Sequence, residues 1–229
     1  MRRCFWGATL LLAGCATLSY RPPEGTEGAA VPLVVTESPR SVALGRYRLT
    51  QVRTTLEHTD LPFQEDGGTY TVESGAEYSF QREATLARVD LLRVADVTLG
   101  SDGLIQTSVS VTKVTLTRDQ AHAEVAVQRP LGSDTLLEWA VPHRVVVSLD
   151  FHAWSEGKPA TLWTQPAGLK VQRDGELPVY VSLLPPFAVF GVADSSALDD
   201  ETALALLVGF EAVTRNLDPG PLALPSRND

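Results

Sequence analysis

The chain has 229 residues, of which 44% are apolar, and its formal net charge is −9. This apolar content is typical of a folded globular protein and excludes wholesale disorder. Beyond Arg2 and Arg3, the cations are mostly arginines scattered one at a time along the sequence. Nucleic-acid binding is therefore disfavoured, because it depends on clustered Lys and Arg side chains.

The N-terminal segment has the organisation of an export signal. Arg2 and Arg3 precede an uncharged stretch at residues 4–14. This stretch is too short for a membrane span, which needs about 20 apolar residues. It ends in Leu12-Ala13-Gly14-Cys15, which resembles the lipobox of bacterial lipoproteins at every position. The resemblance covers only the first 15 residues.

The resemblance implies that the chain is cleaved before Cys15. It further implies a diacylglycerol on the Cys15 sulfur and an acyl chain, such as palmitate, on its new amino group. The mature chain would then be attached to a membrane without spanning it. Because Ala16 stands where an Asp would retain the protein, the resemblance implies an outer-membrane location facing the periplasm. The inner membrane and the cell surface are alternatives, and a plain secreted protein is the competing interpretation.

Cleavage would leave a mature chain whose only cysteine is Cys15, because Cys4 departs with residues 1–14. Removal of Arg2 and Arg3 changes the net charge from −9 to −11. With its remaining cysteine acylated, the mature chain has no thiol available for a disulfide, so its core alone must hold the fold.

We divide the mature chain by composition into three parts. Residues 15–30, rich in Pro, Gly, Glu and Thr, are expected to form an acylated cysteine and a flexible tether. Residues 31–217 are expected to form one β-rich domain, and residues 218–229 an irregular tail.

Alternation of apolar and polar residues predicts a mostly β or α+β fold, an antiparallel β-sandwich or partly open barrel. The clearest strand is Leu104–Thr117, which follows a Ser101-Asp102-Gly103 turn. Further strands are predicted at 42–56, 121–128, 145–154, 160–164, 171–173 and 179–184.

Two segments bear on helix content. Residues 75–95 follow a possible capping box at Ser74 and can form a helix or a strand pair, with strand favoured by their Thr and Val content. An amphipathic helix is predicted at about 198–217, capped by Ser195-Ser196 or Asp199 and packed on one face or one open end of a sheet.

Several common catalytic and metal-binding motifs are absent from the sequence. It has no HExxH, GxSxG or phosphate-binding loop, so we predict no catalytic residues, no metal and no cofactor. Asp150 and His152 could form a carboxylate–imidazole pair for a hydrolase. The simpler interpretation is a polar, solvent-facing strand edge.

One further segment stands out: residues 177–193 carry no charge. The structural interpretation, which we favour, is a buried strand, a Pro-Pro turn and a second buried strand. The functional interpretation is an apolar lip that contacts a lipidic ligand or a partner protein. Its candidate contact residues are Tyr180, Pro185, Pro186, Phe187 and Phe190.

These features together predict a non-catalytic accessory or structural subunit of an envelope complex, attached to the membrane through Cys15. A binding module for a lipid or another apolar ligand is the alternative, and a hydrolase is a third hypothesis. A partner protein of the envelope or an apolar ligand is expected, and nucleic acid is not.

Overall fold

The computed structural model describes most of the chain beyond residue 17. The described residues are 18–24, 26, 29–59, 68–99, 105–118, 121–127, 134–140, 143–155, 158–161 and 166–216. Cys15, the Ser101–Gly103 turn and the tail at 218–229 lie outside them.

Within the described residues, sixteen strands precede a short 3-10 helix and one α-helix. The first nine strands are β1 Leu18–Ser19, β2 Val31–Pro32, β3 Val34–Glu37, β4 Arg40–Leu44, β5 Tyr47–Thr59, β6 Gly68–Gln81, β7 Thr85–Leu99, β8 Ile105–Arg118 and β9 Ala121–Val127. The remaining elements are β10 Thr135–Trp139, β11 Val145–Asp150, β12 His152–Ser155, β13 Lys158–Thr161, β14 Gly168–Arg173, β15 Val179–Ser182, β16 Ala188–Phe190, the 3-10 helix Ser195–Ala197 and α1 Asp200–Asn216.

The described strands form three antiparallel sheets. A seven-stranded sheet takes β3 to β9 in chain order, so each strand pairs with the next one. A six-stranded sheet has the order β10-β11-β14-β15-β16-β2, and a small sheet has the order β1-β12-β13. The predicted mostly β fold with a C-terminal helix is confirmed.

Helix α1 lies between the two large sheets. It contacts β11 and β14 on one side and β4, β5 and β7 on the other. Residues 201–213 are therefore buried around the whole circumference of the helix. The prediction of an amphipathic helix on one face of a sheet was incomplete, because the second sheet covers the side expected to face solvent.

Two predicted strands are each divided in two. The segment 42–56 is a hairpin of β4 and β5, because Gly45 turns the chain with a φ of +56°. A side chain at Gly45 would overlap Ser195, so only glycine fits there. The segment 145–154 breaks at Phe151, where the chain leaves the six-stranded sheet for the small one.

Residues 75–95 are strand rather than helix. They belong to β6 and β7, which pair along almost their full length. The capping-box pattern at Ser74 is overridden by pairing with strands on both sides, and the preference for strand in the sequence analysis is confirmed.

Candidate functional site at the docked N-terminal segment

The chain joins the fold three residues after Cys15. Leu18 and Ser19 form β1 and pair with β12, with Leu18 opposite Ser155 and Ser19 opposite Trp154. The tether predicted for residues 15–30 is therefore not irregular throughout. A strand of two residues is too short to be predicted from hydrophobic periodicity.

Tyr20 anchors this segment in the domain. Its side chain is only 6% exposed and packs in a small cluster with Ala153, Ala167 and Tyr180. Its ring also faces Phe190, at 6.2 Å between centroids. A side chain at Gly168 would overlap the Tyr20 ring, so the glycine makes room for it.

Asp150, at the end of β11, accepts a hydrogen bond from the Tyr20 side chain. The Tyr20 hydroxyl donates to Asp150 Oδ2 at 2.9 Å. Burial raises the pKa of Tyr20 far above its usual value, and the neighbouring Asp150 charge raises it further. Tyr20 therefore stays protonated and remains a hydrogen-bond donor at every physiological pH.

The same carboxylate holds His152. The backbone N–H of His152 donates to Asp150 Oδ1 at 2.9 Å, and its Nδ1 lies 2.7 Å from the same oxygen. The structure thus brings together the two residues considered for a hydrolase. However, the His152 side chain is 81% exposed, and Tyr20 occupies the second carboxylate oxygen. This geometry favours a structural role, in which the Asp150 carboxylate links Tyr20 and His152, over a catalytic pair.

Arg21 and Trp154 complete the site. The Arg21 guanidinium lies 4.4 Å from the centroid of the Trp154 ring, within the range of a cation–π contact. Consecutive residues 18–21 are therefore attached by strand pairing, a buried ring and a cation–π contact. Sequence reasoning missed Tyr20 and Arg21, because their partners lie about 130 residues away.

The five predicted contact residues of the apolar segment do not share one surface. Tyr180 is buried in β15, and Phe190 packs toward Tyr20. Phe187 packs against the core and meets Phe210 edge-on at 5.1 Å between ring centroids. Pro185 and Pro186, joined by a cis peptide bond, are exposed in the turn between β15 and β16. This arrangement matches the strand–turn–strand interpretation, with the two prolines as the accessible part.

A second polar cluster, also missed in the sequence, lies on α1. Glu211 is fully buried, and it accepts hydrogen bonds from Arg40 Nε at 3.0 Å and from the Tyr78 hydroxyl at 2.9 Å. Near the other end of the helix, Glu201 accepts from Trp139 Nε1 at 3.1 Å. Glu211 joins the helix to the seven-stranded sheet and Glu201 joins it to the six-stranded sheet. The sequence signal for this cluster was Glu211, which interrupts an otherwise apolar stretch of the helix.

Among the described residues, no group of three or more His, Cys, Asp or Glu side chains is arranged to hold a metal ion. Likewise, no helix in the described part of the chain is long and apolar enough to cross a membrane.

The architecture is thus a helix enclosed between two antiparallel sheets, with a small sheet that receives the N-terminal segment. Comparison with known proteins found no matching family, no matching curated protein and no matching solved structure.

Proposed function

We propose that this protein is a membrane-anchored lipoprotein of the bacterial envelope, facing the periplasm and held by acyl chains on Cys15. The residues Leu12 to Cys15 carry this proposal. The docked segment supports it, because Leu18, three residues beyond Cys15, pairs with β12 of the domain. The outer membrane is the proposed location, following Ala16.

The anchor is tested with two cysteine variants of the full precursor. Cys15→Ser removes the acylation site, whereas Cys4→Ser leaves the lipobox intact and serves as the matched control. We expect the Cys4→Ser protein to fractionate with membranes and the Cys15→Ser protein to be released or left uncleaved. Membrane retention of a normally cleaved Cys15→Ser protein would contradict the anchor.

We further propose that the domain is a non-catalytic accessory or structural subunit of an envelope complex. The observation that carries this is the position of α1, which lies between the two large sheets and is buried along residues 201–213. A lipid-binding module would instead keep an apolar cavity between its sheets, so the position of α1 favours a role that uses the surface of the domain.

This role is tested by purifying the acylated protein from detergent-solubilised envelope and measuring the mass of the native particle. We expect a stoichiometric complex larger than the chain alone. A monomer without a partner, or a monomer that carries co-purified lipid inside the domain, would contradict the proposal. The second of these results would favour the ligand-binding alternative.

A further inference from the structure

The position of Leu18, the first described residue, fixes where the connection to Cys15 starts. Strand β1 is antiparallel to β12, and Leu18 lies opposite Ser155, the last residue of β12. Ser155 in turn lies opposite Lys158, the first residue of β13. The residues that precede Leu18 therefore start from the tip of the β12–β13 hairpin, defined here by Ser155 and Lys158.

The remaining connection is short. Three Cα–Cα steps separate Cys15 from Leu18, and each spans at most about 3.6 Å, so the two residues lie within about 11 Å of each other. The polar layer on each side of a bilayer is about 5–8 Å thick. A tether that was flexible from residue 15 to residue 30 would instead span about 20 Å on average. Docking of residues 18–21 thus keeps the hairpin tip next to the headgroups.

The side chains around this tip suit a membrane interface. Leu18 is 42% exposed, and Trp154 is half-buried beneath the Arg21 guanidinium. Lys158 and Pro159 are exposed on the neighbouring strand. Trp rings and the long side chains of Lys and Arg are the residues that membrane proteins place at the headgroup level.

We propose that the end of the small sheet formed by Leu18, Arg21, Trp154 and Lys158 lies against the lipid headgroups and fixes the orientation of the domain on the membrane. This inference rests on the proposed anchor at Cys15. It goes further by naming the face that contacts lipid and by placing the opposite end of the six-stranded sheet away from the bilayer. Leu177, 91% exposed, lies at that opposite end, in the turn that follows β14.

The orientation is tested with single cysteines in the full acylated chain. After cleavage the native chain has only Cys15, which is acylated, so Lys158→Cys and Leu177→Cys each provide one site for an environment-sensitive fluorophore. The labelled proteins are inserted into vesicles of phosphatidylethanolamine and phosphatidylglycerol that contain phosphatidylcholine with a nitroxide on its headgroup. Because β14 alone separates the two ends by about 17 Å, we expect at least threefold stronger quenching at position 158 than at position 177. Equal quenching, or stronger quenching at position 177, would overturn the inference.

A longer connection provides the second test. Inserting about twelve Gly and Ser residues between Ala16 and Thr17 should lower quenching at position 158 toward the value at position 177, since the tip is then free to leave the surface. Unchanged quenching would overturn the explanation by a short connection. A vesicle flotation assay separates this inference from the anchor. A cleaved chain that does not float overturns both, whereas a floating chain with equal quenching overturns the orientation alone.

Discussion

The buried carboxylates Glu201 and Glu211 connect α1 to the two large sheets by hydrogen bonds. Glu211 has no exposed surface and lies against the Arg40 guanidinium, with N–O distances of 3.0 Å. A buried ion pair contributes little net stability, because desolvation offsets the attraction between the charges. Breaking it is nevertheless costly, since the largely buried Arg40 guanidinium would be left with the exposed carboxylate of Glu37 as its charged partner.

We therefore expect Glu211→Ala to lower the free energy of unfolding by about 3–5 kcal/mol. The loss arises because Arg40 and the Tyr78 hydroxyl both lose their buried acceptor. Urea denaturation measures the change. Glu138→Ala, which removes an exposed partner of Arg144, is the matched control and should cost less than about 1 kcal/mol. Equal losses in the two variants would contradict the role given to Glu211.

Asp199 caps α1 and gives the fold one source of its pH dependence. Its carboxylate accepts from the N–H groups of Glu201 at 2.9 Å and Thr202 at 3.0 Å. Burial alone would raise the pKa of Asp199, but the hydrogen bonds from Thr202 and the Arg173 charge outweigh it and hold the pKa below its ordinary value. The charged carboxylate therefore stabilises the fold above about pH 4, and this contribution is lost as the pH falls through the lower folded pKa.

We expect Asp199→Ala to lower the free energy of unfolding by about 1 kcal/mol near pH 7 and by less near pH 3. Asp199→Asn keeps an acceptor for the helix N-terminus but not the charge, so it should be the milder of the two near pH 7. Denaturant titrations at both pH values measure the effect. A loss that is the same at both pH values would rule out the charged cap as its cause.

At the scale of elements, the docking of β1 depends on the space above Gly168. A methyl group at this position would overlap the Tyr20 ring. We expect Gly168→Ala to expel Tyr20 and release residues 18–21 from β12, while the two large sheets keep their core. Chymotrypsin cleavage after Tyr20, followed by mass spectrometry, should then be at least about tenfold faster than in the native chain.

Tyr20→Phe is the milder companion, because it keeps the ring and removes only the hydrogen bond to Asp150. It should leave the N-terminal segment largely protected, with cleavage between the native and Gly168→Ala rates. Native protection of Tyr20 in Gly168→Ala would show that the segment docks in another way.

The sequence was informative about elements where alternation was regular. Ile105 to Thr117 alternates with polar neighbours, and β8 covers this stretch. It was less informative where one residue ends a strand, because nothing in the local pattern distinguishes the turn at Gly45 from a tolerated glycine. The encounter of Asp150 with His152 could be predicted from their spacing of two residues. The encounter of Asp150 with Tyr20 could not, since only the tertiary fold brings a distant segment to β12.

The same distinction applies to α1. Its helical spacing and its acidic first turn, Asp200 and Glu201, were sufficient to predict the helix. Its burial on all sides was not predictable. A helix covered by two sheets differs from a helix covered by one mainly in which side chains face its polar positions, and the helix sequence does not show these partners. Here Arg40, Tyr78 and Trp139 face the two glutamates, and these partners come from three different strands.

At the scale of the whole molecule, the two large sheets lie outside and one helix lies between them. The seven-stranded sheet is made of consecutive strands, whereas the six-stranded sheet pairs β11 with β14 and β16 with β2, and the last described element, α1, lies between these two sheets. The first described residues attach to the small sheet instead, so the N-terminal end of the chain emerges beside the β12–β13 hairpin. A membrane anchor at that end would leave the two large sheets available to a partner in the periplasm.

The mass of the N-terminal peptide of the protein purified from membranes tests the central claim most directly. Digestion with chymotrypsin releases the peptide that ends at Tyr20, once the domain is unfolded. We predict that this peptide begins at Cys15 and carries the added mass of a diacylglycerol and an acyl chain. A peptide that begins at any other residue, or that begins at an unmodified Cys15, would contradict the account.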